Sequence, residues 1–418
     1  MRIRAFKGLV PKPALAAEVA CVPYDVVNTS EAAALASGKP HSLLRVDRAE
    51  IAFPAGADPY GDQVYAKALE MFQALQRDGG GALVRETEPC VYVYQQQMGA
   101  HTQRGIVALT HVEDYDAGLI KKHEKTRKDK EDDRTRLIDT ISANTGPVFL
   151  TYRDAPAVTA LVNAKTAEKP LHDFTAPDGI RHTLWRVAAS DKNSAGADAG
   201  AAAWVAAFGA APVTYIADGH HRAASAARVA RLRRERNAAH HTGAEDYNWF
   251  LSVLFPASEL KILPYNRIVL DLNGRSPAAF LDEVKNVFGL EENAPPSPGG
   301  VGRVSMYLGG KWFGLRCPAD AKAGPVDRLD VSVLQNKLLA PILGIDDPRT
   351  SKRIDFVGGI RGTAELTKRV DKDGGVAFSM YPVTLAQLMD IADAGEIMPP
   401  KSTWFEPKLR SGLAIHTF

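Results

Sequence analysis

The sequence predicts an α+β protein of two or three subdomains, with mixed sheets and helices, and three observations carry that expectation. Its 418 residues exceed one ordinary core at about 100–200 residues per domain. Strand-like segments follow one another directly, as at 90–97 and 103–112, instead of alternating with helices in βαβ order. No self-similarity recurs at a period of about 20–50 residues, which excludes a solenoid or propeller. Hydrophobic residues make up 45% and charged residues 24%, close to the globular average, so wholesale disorder is excluded too.

Taken in order, Ile3 to Val10 reads as a strand and Ser30 to Ser37 as a short helix capped by Ser30. A longer helix is expected over Tyr60 to Arg77, with Val64, Ala68, Leu69, Phe72 and Leu75 on one face and GGG at 79–81 ending it. The two strands at 90–97 and 103–112 flank a turn at Met98-Gly99. A charged segment, 119–141, precedes a strand at 147–152, a helix near 155–168 and a strand at 182–187. The Ala-rich stretch 200–208 reads as a helix, VTYIA (213–217) as a strand, and the residues from 220 to about Arg236 as another helix. A loop at 240–248 leads to a buried strand, WFLSVLFP (249–256). Pro and Gly clusters at 274–303 mark a composition change, followed by strands near 303–316 and helices near 330–343 and 384–393. These features divide the chain into an N-terminal α+β domain (1–118), a core (119–270) and a C-terminal α+β domain (271–418) that ends in a polar strap.

Charge and cysteine content narrow the function classes. Fifty-one basic against 49 acidic residues leave a net charge of +2, too balanced to argue for a nucleic acid or a membrane surface. Cys21, Cys90 and Cys317 lack any CxxC spacing and suit a reducing compartment. The N-terminus has no uninterrupted apolar run of signal-peptide type. The uncharged run 199–217 reaches spanning length, but it is Ala- and Gly-rich and Pro212 splits it, so a soluble cytoplasmic protein is expected.

Three constellations could carry chemistry. In VTYIADGHHRAASAARVARL (213–232), a β-branched strand stops at Asp218, Gly219 permits a tight turn and an Ala-rich helix begins. Asp218 could cap that helix, and the free N–H groups of its first turn would attract an anion. His220, His221 and Arg222 add donors at the same point, which suits phosphate and metal–nucleotide chemistry. The second is IKKHEKTRKDKEDDRTRLIDTISANTGPVF (120–149). It reads either as a solvated helix held by i,i+4 charge pairs such as Glu124–Lys128, or as one wall of a nucleotide cleft. In the cleft reading Lys130 or Arg134, with His123 nearby, meets phosphates, and Glu124 or Asp133 serves as base or metal ligand. The third, MPPKSTWFEPKLRSGL (398–413), offers Lys401, Ser402 and Thr403 as a substrate-binding loop, or is a strap that packs its aromatics on the body. No Walker A loop, GxGxxG or HExxH occurs, and Arg228 to Arg236 read as a solvated face.

VPYDV near the start, HEKT with KxxDR, NTGPVF, HTLW, YIADGHHR and KSTWFEPKL together resemble the DUF1015 family over essentially the whole chain. The DGHHR turn in addition resembles the ParB/sulfiredoxin superfamily, to which free-serine kinases are similar. The resemblance implies a ParB/sulfiredoxin-like nucleotide-binding core and, in the kinase case, nucleotide- and Mg²⁺-dependent phosphorylation of a small hydroxyl substrate such as L-serine to O-phosphoserine. It carries over to Asp218, Gly219, His220, His221 and Arg222; the acid nearest the hydroxyl is Asp218 or Glu124. No cysteine stands in 217–223, which argues against sulfinic-acid reduction, and no helix-turn-helix module of ParB type is found.

The leading expectation is therefore phosphoryl transfer from ATP or ADP, with Asp218 and Asp133 as metal ligands, His220 assisting and a homodimer conceivable. The alternatives are a nucleotide-binding regulator without chemistry on a metabolite, and a metal-dependent phosphoesterase or nuclease using Asp218, His220 and His221.

Overall fold

The structure, a computed structural model, describes residues 1–77, 79–192 and 200–418. Asp78 and residues 193–199, including the start of the uncharged 199–217 run, lie outside the described residues. The chain forms two compact units: Met1–Leu260 together with Pro407–Phe418, and Lys261–Glu406. The sequence division into segments cut at 118 and 270 differs from this in two ways. Residues on either side of 118 share one sheet, because the His101–His111 strand pairs with Trp249–Pro256. The last twelve residues, 407–418, rejoin the first unit after the 261–406 excursion.

The first unit is built on a mixed sheet of nine strands among the described residues. From one edge it runs Ile120–Lys121, Thr214–Asp218, Val148–Tyr152, Trp249–Pro256, His101–His111, Cys90–Met98, Arg181–Ala188 and His172–Thr175, and Ile3–Arg4 pairs with His101–His111. Two pairings are parallel, 214–218 with 120–121 and 249–256 with 148–152; the others are antiparallel. The central strand Val148–Tyr152 is buried at every residue, as expected of a strand covered on both faces. Val91, Val93, Ile106, Leu150, Trp185, Trp204, Phe208, Ile216, Phe250 and Leu254 form one core with Ala223, Ala226, Ala227 and Ala230 of the His220–Arg236 helix. Alanines at those positions let that helix lie close to the sheet. A second core joins Leu9, Val19, Leu43, Val64, Ala68 and Phe72 to Leu137, Ile141 and Ile415.

Several elements start or stop elsewhere than expected. The 3–10 segment forms two short strands, Ile3–Arg4 and Leu9–Pro11. The first longer helix is Thr29–Ala36, and its cap is Asn28, not Ser30: the Asn28 side chain accepts from the Glu31 N–H while Glu31 reaches back to the Asn28 N–H. Such a reciprocal pair outcompetes a serine two residues on. The Asp62–Ala74 helix buries Val64, Ala68 and Phe72, with Leu69 only partly buried, and ends before the glycines. The charged segment becomes the helix Lys128–Ile141, which packs against both Asp62–Ala74 and His220–Arg236. It is solvated only in part: Asp133, Arg134 and Thr135 are buried with Leu137, Ile138 and Ile141. The arginines at the end of the His220–Arg236 helix are likewise engaged: Arg231 pairs with Asp116, and Arg233 and Arg236 both pair with Asp139.

The second unit carries a six-stranded antiparallel sheet in the order Gly289–Glu292, Lys311–Arg316, Arg303–Leu308, Val376–Met380, Tyr265–Val269, Ile354–Gly358. Leu366 and Val370 of the Ala364–Asp373 helix pack on its Ile268, Tyr307, Val357 and Ala377. Strands Lys261–Leu263 and Trp404–Glu406 pair at the unit's ends. Among the described residues no helix is long and apolar enough to cross a membrane.

His172 and His182, buried in neighbouring strands of the large sheet, give a pH-dependent stability. Burial pushes the imidazole of His172 down to about 4 and that of His182 to about 3, against about 6.5 in an unfolded chain. Below pH ~6.5 the unfolded state takes up protons that the folded state refuses, so their contribution is complete above that value and is lost on acidification towards the folded pKa values. Urea unfolding at several pH values should show stability falling from about pH 6 towards pH 4. His182→Gln should reduce the slope by up to one proton, about 1.4 kcal/mol per pH unit. A slope unchanged in the variant would remove His182 from the account.

Candidate functional site

The site grows from the strand-to-helix junction at 214–222. Thr214–Asp218 ends at the sheet's edge region and Gly219 takes φ +96°, turning the chain into the His220–Arg236 helix. Only glycine suits this position twice over, since a Cβ there would also lie 2.9 Å from Arg222 Nε. Asp218 does not cap the helix, whose cap is Gly219 without a side-chain hydrogen bond. Its carboxylate instead receives Lys408 Nζ at 3.3 Å and faces Arg222 at 3.6 Å. Burial pushes this carboxyl's pKa up, but Lys408 and then Arg222 outweigh it and hold it at about 2. Asp218 is therefore ionised at neutral pH.

The 123–134 segment meets the same turn. The His123 and His220 rings stand edge to face with centroids 4.5 Å apart, and the His123 N–H approaches His220 Nε2 at 3.5 Å. Arg127 N–H donates to His221 Nε2 at 2.9 Å, which puts the His221 proton on Nδ1 when the ring is neutral. Ser225 Oγ donates to the Glu131 carbonyl at 3.1 Å. Burial lowers all three imidazoles, His123 to about 4, so at neutral pH they are uncharged. His220 and His221 can thus offer a phosphate hydrogen bonds but no positive charge.

Further along the helix, polar groups are buried in partnered sets. Asp133 accepts from Tyr65 Oη at 2.9 Å and from Arg134 Nε at 3.0 Å. Arg134 also donates to the Asp47 carbonyl at 3.1 Å and lies 4.0 Å over the Tyr24 ring. The Asp47 carboxylate accepts from Thr145 Oγ1 at 2.6 Å. Burial raises the pKa of Asp47, partly opposed by Arg134, by Thr145 and by Arg222. Arg222 donates to the Pro147 carbonyl, while its buried Nε has no partner.

Two adjoining cavities open on these groups. The larger, about 300 Å³, is lined by Tyr24, Asp25, Arg48, Tyr60, Lys130 and Arg134 among others. The smaller, about 30 Å³, shares Tyr24, Asp47 and Arg134 with it and reaches Thr145, Gly146, Arg222 and Ser411. Of the cations lining the larger cavity, Arg48 is tied to Glu50 and Arg134 to Asp133, whereas the Lys130 ammonium has no hydrogen bond or ion pair among the described residues.

The fold thus brings Asp218, Gly219, His220, His221 and Arg222 together with His123, and the helix that carries Lys130, Asp133 and Arg134 packs on the helix that Gly219 opens. Glu124 is exposed beside His123 and His220. Lys401, Ser402 and Thr403 belong to the other unit. There Ser402 Oγ donates to the Pro399 carbonyl at 2.6 Å, and Ser402 lines a 10 Å³ cavity with Arg267 and Asp330. Asp218 and Asp133 are each held by cations. Neither belongs to a metal-ligand group among the described residues, nor do Asp218, His220 and His221 form one. Magnesium favours near-octahedral oxygen ligands. The group that is present, His123, Glu124 and His220, offers two imidazoles and one carboxylate, so it fits a protein-held Mg²⁺ poorly.

Sequence reasoning missed Lys408, Asp47, Thr145, Ser411 and Tyr24 as site residues. Lys408 and Ser411 stand in the KSTWFEPKLRSGL stretch, Thr145 in NTGP and Tyr24 in VPYD, each a motif already singled out. The signal was present, but nothing in the residues said which motif meets which.

Comparison with known proteins adds the following. No curated protein sequence matches the chain. Among solved structures, a free serine kinase mutant in complex with AMP is similar at 13% identity and a TM-score of 0.36, over 73% of this chain and 92% of that one. A conserved hypothetical protein from Pyrococcus furiosus is similar at 14% identity and a TM-score of 0.34, over 73% and 93%. A C-terminally truncated SbnI from Staphylococcus aureus is similar at 10% identity and a TM-score of 0.36, over 73% and 87%. The family model described as a protein of unknown function, DUF1015, matches residues 3–332, and with most of its length matched the chain belongs to that family.

Proposed function

We propose that the protein is a nucleotide-dependent phosphotransferase acting on a small hydroxyl substrate, free L-serine giving O-phosphoserine being the first to try. The observation that carries the reading is the pairing of two unsatisfied cationic donors with one cavity system. The Lys130 ammonium lines the 300 Å³ cavity without a partner among the described residues, and Arg222, whose buried Nε is unsatisfied, lines the adjoining one. A buried donor without an acceptor, as Arg222 Nε is, is rare and calls for one, while the part-exposed Lys130 is free to meet a charged group in the cavity. A phosphate chain running between them would satisfy both and would end at the start of the His220–Arg236 helix, whose first N–H groups favour an anion. The cavity is at the lower end of the range for small-molecule sites, about 300–1,000 Å³.

In this reading Lys130 and Arg222 neutralise charge on the phosphates, and Arg134, already spent on Asp133 and Asp47, shapes the wall. Asp218, ionised throughout the physiological range, accepts a hydrogen bond from the substrate hydroxyl and orients it. A carboxylate this acidic is a weak base, so Glu124 is the alternative for removing the proton. Phosphoryl transfer asks mostly for positioning and electrostatics. ATP or ADP is the donor, and Mg²⁺, where required, arrives on the nucleotide. Lys401, Ser402 and Thr403 take no part in the proposed steps.

Incubation with ATP or ADP and a panel of amino acids and small alcohols, read by phosphorus NMR and mass spectrometry, should yield a phosphomonoester. Asp218→Asn should lower kcat by at least about 10²-fold with the fold intact; full turnover by that variant would sink the role given to Asp218. Nucleotide binding indifferent to every acceptor, with no product, would favour a binding regulator instead.

Two variants separate binding from positioning. Lys130→Met should weaken nucleotide binding about tenfold, or about 1.4 kcal/mol, in calorimetry, with little change in melting temperature because Lys130 has no partner to lose. Lys408→Met should do the opposite. It removes a charged hydrogen bond to Asp218 and should lower stability by about 1–3 kcal/mol, with the Asp218 carboxyl titrating above its present value of about 2.

A further inference from the structure

His123 is a buried imidazole whose two ring nitrogens, Nδ1 and Nε2, both lack a hydrogen-bond partner. A core histidine ordinarily satisfies at least one nitrogen, because an imidazole keeps a donor or an acceptor on each. The ring is only 2% exposed, so bulk water does not supply the deficit. A second imidazole, that of His220, stands edge to face with it at 4.5 Å between centroids, and Glu124 is next in the chain. One ligand atom from each of His123, Glu124 and His220 lies within 4.8 Å of the others. Around a tetrahedral ion with bonds of about 2.0–2.2 Å, neighbouring ligand atoms stand roughly 3.4 Å apart. Glu124 is the exposed member of the three, and an inward turn of its side chain would close that gap.

We propose that His123, Glu124 and His220 form a binding site for one divalent first-row transition ion, zinc being the best fit. Two imidazoles and one carboxylate are a donor set suited to zinc and its neighbours and not to magnesium or calcium. Burial keeps both rings neutral at pH 7, with lone pairs available. Among the described residues His220 Nε2 accepts from the His123 N–H at 3.5 Å, at the outer limit of a hydrogen bond and easily surrendered. Three protein ligands leave a coordination position open, the arrangement of sites that take up a water or a substrate oxygen and not of closed structural ones. Asp218 cannot be a fourth ligand while Lys408 and Arg222 hold it; it stands close enough to influence the titration of both rings.

The site stands independently of the phosphotransfer reading, and its test keeps the two apart. The full-length protein, stripped of metal with a chelator, is titrated with Zn²⁺, Mn²⁺ and Mg²⁺ by calorimetry, and with Co²⁺ by visible absorption. One equivalent of Zn²⁺ should bind per chain, at least about 100-fold tighter than Mg²⁺, and Co²⁺ should give the absorption bands of a low-coordinate nitrogen/oxygen site. Glu124→Gln, on an exposed side chain, should weaken Zn²⁺ at least about tenfold with an unchanged thermal melt. His123→Asn should abolish the Co²⁺ bands, with circular dichroism reporting the fold. Zinc bound no tighter than magnesium, or bound equally well by Glu124→Gln, would overturn the proposal. ADP titrated in parallel decides the other reading: tight zinc without nucleotide affinity would leave the metal site standing and remove the kinase.

Discussion

A carboxylate can stay ionised inside a protein only where cations are brought to it, and the pairing of Asp218 with Lys408 and Arg222 governs the path of this chain. Arg222 comes at no topological expense, one helical turn beyond Asp218. Lys408 is separated from Asp218 by 190 residues and reaches it only because the chain, having built a whole second unit, returns to the first. That return is fastened at several points. Cys21 and Ser411 exchange backbone hydrogen bonds, Gly412 donates to the Thr145 carbonyl, Leu9 and Ile415 bridge, and His416 pairs with Asn144. The same residues deliver Ser411 to the Asp47 carboxylate and press Ser411 against Gly146, where a Cβ would come within 2.9 Å of its hydroxyl. Removing one partner of such a buried pair is far more damaging than the pair's net worth suggests, because the other charge is left behind.

This explains which parts of the fold were legible in the sequence. The junction at 214–222 was, because everything that determines it is local: a β-branched run, a glycine at positive φ, then alanines at helical spacing. The strands at 90–98 and 101–111 and their tight turn were legible for the same reason. The partner of Asp218 was not, since no periodicity encodes a contact across 190 residues. The terminal motif shows the difficulty most sharply. It reads as one unit, KSTWFEPKLRSGL, yet the boundary between the two compact units falls between Glu406 and Pro407. Lys401 to Thr403 therefore serve one unit and Lys408 to Ser411 the other. The sequence shows the motif and gives no sign of the cut within it.

The charged helix failed to be legible for a different reason. A stretch without apolar side chains has no face to dock by hydrophobic burial, and solvation is the ordinary outcome. Here Asp133 and Arg134 are buried because Tyr65, Tyr24 and the Asp47 carbonyl, all from the first seventy residues, satisfy them. Hydropathy registers the need for a partner and is silent on its supply. The pattern does leave one trace: the helix turns apolar at Leu137, Ile138 and Ile141, which anchor it in the second core and carry the polar residues inward with them. Lys130, one turn before Arg134, is the residue this geometry leaves facing the cavity with its charge unanswered.

The partition of donors around the Asp218 turn then has a chemical logic. Oxygen ligands are what a magnesium-bearing phosphate chain would seek from a protein, yet the carboxylates of Asp218, Asp133 and Asp47 are all occupied by cations or hydroxyl donors. Beside the turn stand two imidazoles held neutral by burial and one exposed carboxylate. Neutral imidazoles do not repel a cation, whereas protonated ones would, so the same desolvation that strips His123 and His220 of phosphate-binding charge prepares them as metal donors. In the proposed reading the anion is then held by Lys130, Arg222 and the helix start. Cation-seeking and anion-seeking groups thus share one short stretch of chain, His220 and Arg222 standing two residues apart on the first turn of the same helix.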